Sequence, residues 1–165
     1  CEKKRVQEAS DNGMFQPNLD PYKAAIERHL IPKPRLDISE ILTKRVKTHS
    51  MVDISDGLAS DLHHLCAESG VGASLYEHNL PIDSLTSHIA GECSDSAIDY
   101  ALYGGEEYEL LFTLGDGEYE KLDGLTNDVS IIGRITKPED GIGLVREQGE
   151  REILRPAGWD HFRKL

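Results

Sequence analysis

The stretch MVDISDGLASDL, residues 51–62, decides the fold. Residues 51–55 form a short, β-prone run. The leucines that follow recur at helical spacing and predict an amphipathic helix that ends near Gly70. A strand that passes directly into a helix is the recurring unit of proteins in which helices pack on a sheet.

Helical and strand patterns alternate on both sides of this unit. Asp37 and Glu40 have the spacing of a capping box, which predicts a helix over residues 38–47. Further helices are predicted at residues 22–30, 94–103 (capped by Ser94 or Asp95) and 116–122, and strands at residues 71–76, 108–114, 129–136, 142–147 and 153–154. The predicted fold is an α/β (α+β) sandwich, with a mixed sheet and helices packed on it.

The composition indicates one acidic domain. The chain has 165 residues, with 18 lysines and arginines against 30 aspartates and glutamates, giving a net charge of −12. Such a chain repels nucleic acid and anionic lipid, so neither is an expected partner. The sequence contains no apolar run of membrane-spanning length and no signal peptide pattern, which makes the cytoplasm the expected location.

The first candidate site lies where the predicted strand meets the helix. Asp53 and Ser55 share one face of the strand, Asp56 follows at the turn, and Gly57 permits that turn to be tight. Two carboxylates at a strand end beside a helix N-terminus can share Mg²⁺, which in turn holds phosphate oxygens. The alternative is that Ser55 or Asp56 only caps the helix.

The second candidate site is GGEEYELLF, residues 104–112, with three glutamates within four residues. A glycine pair allows close backbone approach, and the adjoining strand is apolar enough to be covered, so at least one glutamate should lie in a cleft or be paired. The alternative is a solvated acidic edge. The third candidate is GWDHF, residues 158–162, with the single tryptophan, Trp159. By its aromatic character alone, Trp159 is expected to pack rather than to bind a ligand.

Taken in order, these motifs resemble the thiamine-monophosphate kinase family. The similarity covers almost the whole chain from about residue 16. The matching segments are PYKAAIERHLIPKPR (21–35), MVDISDGLASDL (51–62), SGVGASLYEHNLPI (69–82), GGEEYELLFTL (104–114) and GWDHF (158–162). Glu107 departs from the pattern, because the family usually has aspartate there, but the charge is kept.

The resemblance implies a place in the superfamily of aminoimidazole-ribonucleotide synthetase, whose members have two domains. The N-terminal domain of such proteins dimerises and supplies most of the metal-binding aspartates and the nucleotide loop. Residues 1–36 are then expected to be a polar entry segment and linker helix from a missing N-terminal domain, and residues 37–165 the C-terminal α/β domain. The protein is expected to be a homodimer through that missing domain.

The resemblance also implies a reaction, the transfer of the γ-phosphoryl group of ATP to thiamine monophosphate, giving thiamine diphosphate with the help of Mg²⁺. Asp53 and Asp56 resemble magnesium ligands, Ser55 resembles an ATP contact, and Glu106 and Trp159 resemble contacts to the thiamine substrate. No residue is expected to act as a nucleophile or base, because phosphoryl transfer depends on positioning and charge neutralisation. The chain on its own is expected to be inactive.

Two alternatives remain open at this stage. The chain can belong to a sister ATP-dependent enzyme of the same superfamily. It can also be a non-catalytic nucleotide- or metabolite-binding module that kept the domain and lost the chemistry.

Overall fold

The computed structural model describes residues 18–156. Within that range the helices are α1 (Lys23–Leu30), α2 (Leu36–Lys44), α3 (Leu58–Ser69), α4 (Ser84–Cys93), α5 (Ala97–Tyr103) and α6 (Asp116–Asp123). The strands are β1 (Thr48–Asp53), β2 (Gly72–Tyr76), β3 (Leu110–Leu114), β4 (Gly133–Thr136), β5 (Ile142–Val145) and β6 (Arg151–Ile153). Short 3₁₀ turns occur at Asp20–Tyr22, Glu77–Asn79 and Pro138–Asp140.

The strands form two sheets. β1 and β3 make an antiparallel pair in which Asp53 lies opposite Leu110. The other four strands follow the order β4-β2-β5-β6, with β2 parallel to β5 and the remaining pairs antiparallel. The predicted α/β (α+β) fold class of mixed sheet and helices is confirmed, with the strands divided between these two sheets.

The β1–β3 pair lies between two apolar clusters. The larger cluster joins α3, α5 and the four-stranded sheet, and it receives Val52 and Leu111 from the two-stranded sheet and Ile54 from the loop after β1. The smaller cluster joins α2 and α6, and it receives Leu110 and Phe112 from the opposite face of β3. Because both faces of β3 are buried, β3 is fixed in place, and its pairing fixes the register of β1. The position of the loop that follows β1 is fixed with it.

The capping box predicted at Asp37 is wrong. Helix α2 begins two residues earlier than expected, at Leu36, and ends at Lys44, and no side chain caps its N-terminus. The Asp37 carboxylate lies in the first turn and accepts from the guanidinium of Arg35 (Nε–Oδ1 3.4 Å). Glu40 pairs forward with Lys44 (2.7 Å) instead of reaching back to the helix start.

Helix α4, which ends at Cys93, was not predicted. Because of it, the next helix, α5, begins later than expected. Asp83 caps α4 by accepting from the backbone N–H of Thr86 (2.8 Å). Ser94 then ends α4 in a left-handed conformation (φ 58°), and Ser96 caps α5. The expectation that Ser94 or Asp95 starts a helix over residues 94–103 is therefore wrong by about three residues.

Strand β4 is shorter than predicted because its partner is short. The register places Leu75 opposite Gly133, and the N–H of Tyr76, the last residue of β2, bonds to the carbonyl of Ile132. Residues before 132 therefore have no β2 backbone left to pair with. In the part of the chain that the structure describes, no helix combines the length and the apolar character needed to span a bilayer.

Candidate functional site

The loop between β1 and α3 carries the first set of candidate residues. β1 ends at Asp53, α3 begins at Leu58, and Ser55 and Asp56 lie between them. Gly57 is the N-cap residue, with φ 113°, and no side chain caps the helix. The capping role considered for Ser55 and Asp56 is therefore wrong. Within residues 18–156, the carboxylates of Asp53 and Asp56 form no ion pair and no hydrogen bond to another side chain.

The backbone of this loop is held from inside the fold by Asp61. Asp61 lies on the core-facing side of α3 and is only 4% exposed. One of its carboxylate oxygens, Oδ2, accepts from the N–H of Ser55 (2.9 Å) and from the N–H of Asp56 (3.1 Å). The loop shape is thus set through backbone groups, which leaves its own side chains available.

A second loop, residues 104–109, lies directly against the first. The N–H of Glu106 donates to the carbonyl of Ser55 (2.8 Å). The N–H of Tyr108 donates to the carbonyl of Ile54, and the N–H of Ile54 donates to the carbonyl of Glu109, both at 2.8 Å. These three bonds continue the β1–β3 ladder into the loops and bring Glu106 beside the Ser55–Asp56 segment.

The approach of the two loops requires a glycine and unusual backbone angles. A Cβ at Gly105 would lie 2.9 Å from the carbonyl oxygen of Ser55, so a larger residue would push the loops apart. Glu106 and Tyr108 have φ values of 62° and 52°, in the left-handed region that non-glycine residues rarely adopt. The close backbone approach predicted for the glycine pair is confirmed.

Two clefts adjoin the paired loops. One, of about 350 Å³, lies between α1, the start of α4 and the second loop, and Glu106 and Glu107 are in its wall. The other, of about 380 Å³, lies beside the connection between α1 and α2, and Asp53 and Tyr108 are in its wall. Glu106 and Asp53 therefore face different clefts on the two sides of the loop junction.

Glu109 is the glutamate of the second motif that is paired. Its carboxylate bonds to Arg28 and to Arg35, the latter through Nη1 at 2.7 Å. Arg35 also bonds to Asp128 (2.5 Å) and to Asp37. Burial of Arg35 disfavours its charge, but the hydrogen bonds to Asp37, Glu109 and Asp128 outweigh this and raise its pKa. The prediction that at least one glutamate is paired or in a cleft is confirmed. The alternative, a solvated acidic edge, does not hold for Glu109, which is paired with two arginines.

Comparison with known sequences shows what this architecture belongs to. The profile of the family described as AIR synthase related protein, C-terminal domain, matches residues 7–146. The chain belongs to this family. The thiamine-monophosphate kinase resemblance predicted from the motifs is also confirmed.

Individual relatives agree. The thiamine-monophosphate kinase of Aquifex aeolicus is 33% identical over 150 residues, which are 90% of this chain and 45% of that protein. The thiamine-monophosphate kinase of Escherichia coli K12 is 37% identical over 83% of this chain and 42% of that protein. The structure of AaThiL complexed with AMPPCP and TMP superposes with a TM-score of 0.73 and 31% identity, over 95% of this chain and 46% of that one. The chain spans less than half the length of each of these relatives.

The predicted site residues are brought together unequally. Ser55 and Glu106 are joined by a backbone bond at the loop junction, Asp56 follows Ser55, and Asp53 lies in the wall of the other cleft. Trp159 lies outside the described residues. Across residues 18–156, no group of three or more His, Cys, Asp or Glu side chains is arranged to hold a metal ion. The junction offers the two carboxylates of Asp53 and Asp56.

Three residues of the junction were missed by sequence reasoning. Asp61 shares its helix face with Leu58, Leu62 and Leu65, and a charged residue on an apolar face is a signal that it has a buried partner. Arg28 and Arg35 carried no such local signal, because their shared partner Glu109 is more than 70 residues away.

Proposed function

We propose that this chain is the C-terminal domain of a thiamine-phosphate kinase, which transfers the γ-phosphoryl group of ATP to thiamine monophosphate and forms thiamine diphosphate. The relatives that span the chain carry the name of this enzyme. One of the similar structures holds an ATP analogue together with TMP. The proposal extends what is said of those proteins to the gene product from which this chain comes.

The observation that carries the proposal is the loop junction. Asp53, Ser55 and Asp56 lie at the end of a strand and the start of a helix, the place where phosphates are commonly bound in α/β folds. Their side chains are not used to hold the loop, because Asp61 bonds to its backbone and Gly57 takes the N-cap position of α3. A loop held in this way can present charge to a ligand without unfolding.

The metal role is assigned to Asp53 and Asp56. Mg²⁺ is commonly held in proteins by one or two carboxylates, with waters and substrate phosphates completing the octahedron. Two carboxylates that have no ion-pair partner among the described residues fit that pattern. When bound, the ion neutralises charge on the transferring phosphoryl group. Ser55, between the two aspartates, is assigned to contact ATP. No residue of the chain is assigned proton transfer or nucleophilic attack.

The acceptor role is assigned to Glu106 and Trp159. The Glu106 carboxylate is exposed at a cleft wall, where it can accept a hydrogen bond from an aminopyrimidine or lie near the cationic thiazolium ring. Trp159 offers a π face suited to a cationic ring. The backbone bond between Glu106 and Ser55 would hold the acceptor-binding residue Glu106 at a fixed position relative to the ATP-binding residue Ser55.

The organisation of the whole protein is part of the proposal. Residues 1–36 are proposed to be the entry segment and linker helix from an N-terminal domain, and residues 37–165 the C-terminal domain. That N-terminal domain is proposed to supply the homodimer contact and further metal ligands. The net charge of −12 disfavours nucleic acid and membrane partners, and we place the enzyme in the cytoplasm.

Product formation by the complete product of the gene tests the proposal. Incubated with ATP, Mg²⁺ and thiamine monophosphate, it should form thiamine diphosphate and ADP in equal amounts. Formation of ADP only with a different acceptor would favour a sister enzyme of the superfamily. Binding of nucleotide without turnover on any acceptor would favour a non-catalytic binding module.

A further inference from the structure

Asp61 occupies an unusual place for a carboxylate. It is the one charged side chain among the buried residues of the described chain, and it shares the buried face of α3 with Leu58, Leu62 and Leu65. A buried charge must be offset by hydrogen bonds or it destabilises the fold. Asp61 meets this need through the two N–H groups of Ser55 and Asp56, and its place in the first turn of α3 adds the favourable field of the helix N-terminus.

The bonds made by Asp61 continue into the second loop. Oδ2 of Asp61 accepts from the N–H of Ser55, and the carbonyl of the same Ser55 accepts from the N–H of Glu106. Asp61 therefore holds the peptide groups on both sides of Ser55, and Glu106 bonds to the second of them through the Ser55 carbonyl. Glu106 itself is in a left-handed conformation that the bond helps to hold.

We infer that Asp61 is a positioning residue that orients both parts of the site, the Ser55–Asp56 segment for metal and ATP and Glu106 for the acceptor. The inference rests on the proposed function for the identity of those ligands. It assigns Asp61 no contact with substrate or metal, because its side chain is buried and its accepting oxygen is already engaged by two backbone groups.

A matched pair of substitutions separates the hydrogen bonds of Asp61 from its charge. Asp61→Asn removes the charge but keeps an oxygen where Oδ2 lies, so it can still accept from both N–H groups. Asp61→Ala removes the charge and the acceptor together. Any effect seen in the alanine variant and not in the asparagine variant therefore comes from the lost hydrogen bonds.

The first measurement is hydrogen exchange of single amides in the 165-residue chain, followed by NMR. In the wild type and in Asp61→Asn, the amides of Ser55, Asp56 and Glu106 should be protected. In Asp61→Ala, their exchange should rise by about tenfold, the equivalent of one lost hydrogen bond, while amides of β2 and β5 stay unchanged. If Asp61→Ala does not fold, the exchange rates of Asp61→Asn test the inference. Protected amides of Ser55 and Asp56 in that variant would support it, and rapid exchange of these amides would overturn it.

The second measurement is Mn²⁺ affinity of the same folded variants, with Asp53→Asn as the control for the site itself. Asp61→Ala should bind Mn²⁺ about tenfold more weakly than Asp61→Asn, because the loop no longer holds Asp56 in place. Equal affinity and equal exchange in the two variants would mean that Asp61 only stabilises the core, which overturns the inference. Equal Mn²⁺ affinity of the wild type and Asp53→Asn would instead contradict the proposed metal site, and the exchange data would still decide the role of Asp61.

Discussion

The two loops at the junction have their backbones held in place by different kinds of contact. The loop after β1 has its backbone held by a buried carboxylate, Asp61, and within residues 18–156 the neighbouring carboxylates of Asp53 and Asp56 form no ion pair and no hydrogen bond to another side chain. The loop before β3 is held by backbone bonds to the first loop, by left-handed residues and by the ion pairs of Glu109. A site that binds charged ligands needs carboxylates without internal partners, so the shape of each loop has to come from other groups.

The difference also shows which acidic residues are available. In the second loop, Glu109 is committed to Arg28 and Arg35, whereas Glu106 and Glu107 are exposed. At the first loop, the committed carboxylate is Asp61 of α3, whereas Asp53 and Asp56 form no ion pair and no hydrogen bond to another side chain within residues 18–156. Each loop is therefore held by one structural carboxylate and has at least one carboxylate that can meet a ligand.

The largest expected effect comes from neutralising the free carboxylates of the first loop. In the complete gene product, Asp53→Asn and Asp56→Asn should each lower turnover on the order of 100-fold, because an amide keeps the shape but loses the charge that is proposed to hold Mg²⁺. The melting temperature should hardly change. Asp123→Asn, an exposed aspartate on α6, is the control and should behave as the wild type. Wild-type rates in both site variants at saturating Mg²⁺ would contradict the ligand assignment.

The next effect concerns the contact between the loops. Gly105→Ala places a methyl group 2.9 Å from a backbone oxygen that cannot move independently of the first loop. We expect a loss of about 1–3 kcal/mol in the free energy of unfolding, together with weaker binding of both substrates. Gly117→Ala is the matched control, because a Cβ there meets no atom within 4 Å and alanine favours a helix. Chemical denaturation of both variants measures the difference, and equal stabilities would show that the loops tolerate separation.

The sequence predicted the local backbone structure of this junction better than the side-chain contacts that join it to distant segments. The alternation of Asp53 with Val52 and Ile54 is confirmed, because the apolar pair packs into the core while Asp53 is exposed. The strand predicted over residues 51–55 ends earlier, at Asp53, so Ser55 lies in the loop. Local patterns carry such information because strand periodicity is short-range. The pairing of Glu109 with Arg28 and Arg35 depends on how distant segments fold together, and no local pattern contains it.

The same reason explains the errors at helix starts. Asp37 has the local pattern of a cap, but a neighbouring guanidinium, fixed by Glu109 and Asp128, takes its carboxylate. Asp83 has only an ordinary polar surrounding in the sequence, yet it caps α4. Capping residues compete with tertiary partners, and the outcome depends on the folded structure.

The acceptor residues should show a smaller and more selective effect. In the complete gene product, Glu106→Gln and Trp159→Ala should each raise the KM for thiamine monophosphate by roughly tenfold and leave the KM for ATP nearly unchanged. Both KM values and the melting temperature are measured on the same preparations. A loss shared equally by the two substrates, with a lower melting temperature in Trp159→Ala, would mean that Trp159 packs the chain instead of binding thiamine.

The smallest expected effect is a pH dependence at the edge of the Glu106 cleft. The backbone N–H of Thr86 lowers the pKa of Asp83, so this carboxylate stabilises the fold above its ordinary pKa and loses that contribution as the pH falls below about 4. Asp83→Asn keeps the cap without titrating. The variant should lose less stability than the wild type between pH 7 and pH 3, measured by thermal unfolding at both values. An equal loss in the two proteins would contradict the assignment.

Side-by-side turnover of the complete gene product and of the 165-residue chain tests the central claim most directly. With ATP, Mg²⁺ and thiamine monophosphate, ³¹P NMR should show thiamine diphosphate formed by the complete product. The 165-residue chain should unfold cooperatively on heating but form no product, because the proposed ligands Asp53 and Asp56 would supply only part of a metal shell. Robust turnover by the 165-residue chain, or no thiamine diphosphate from the complete product, would contradict the account.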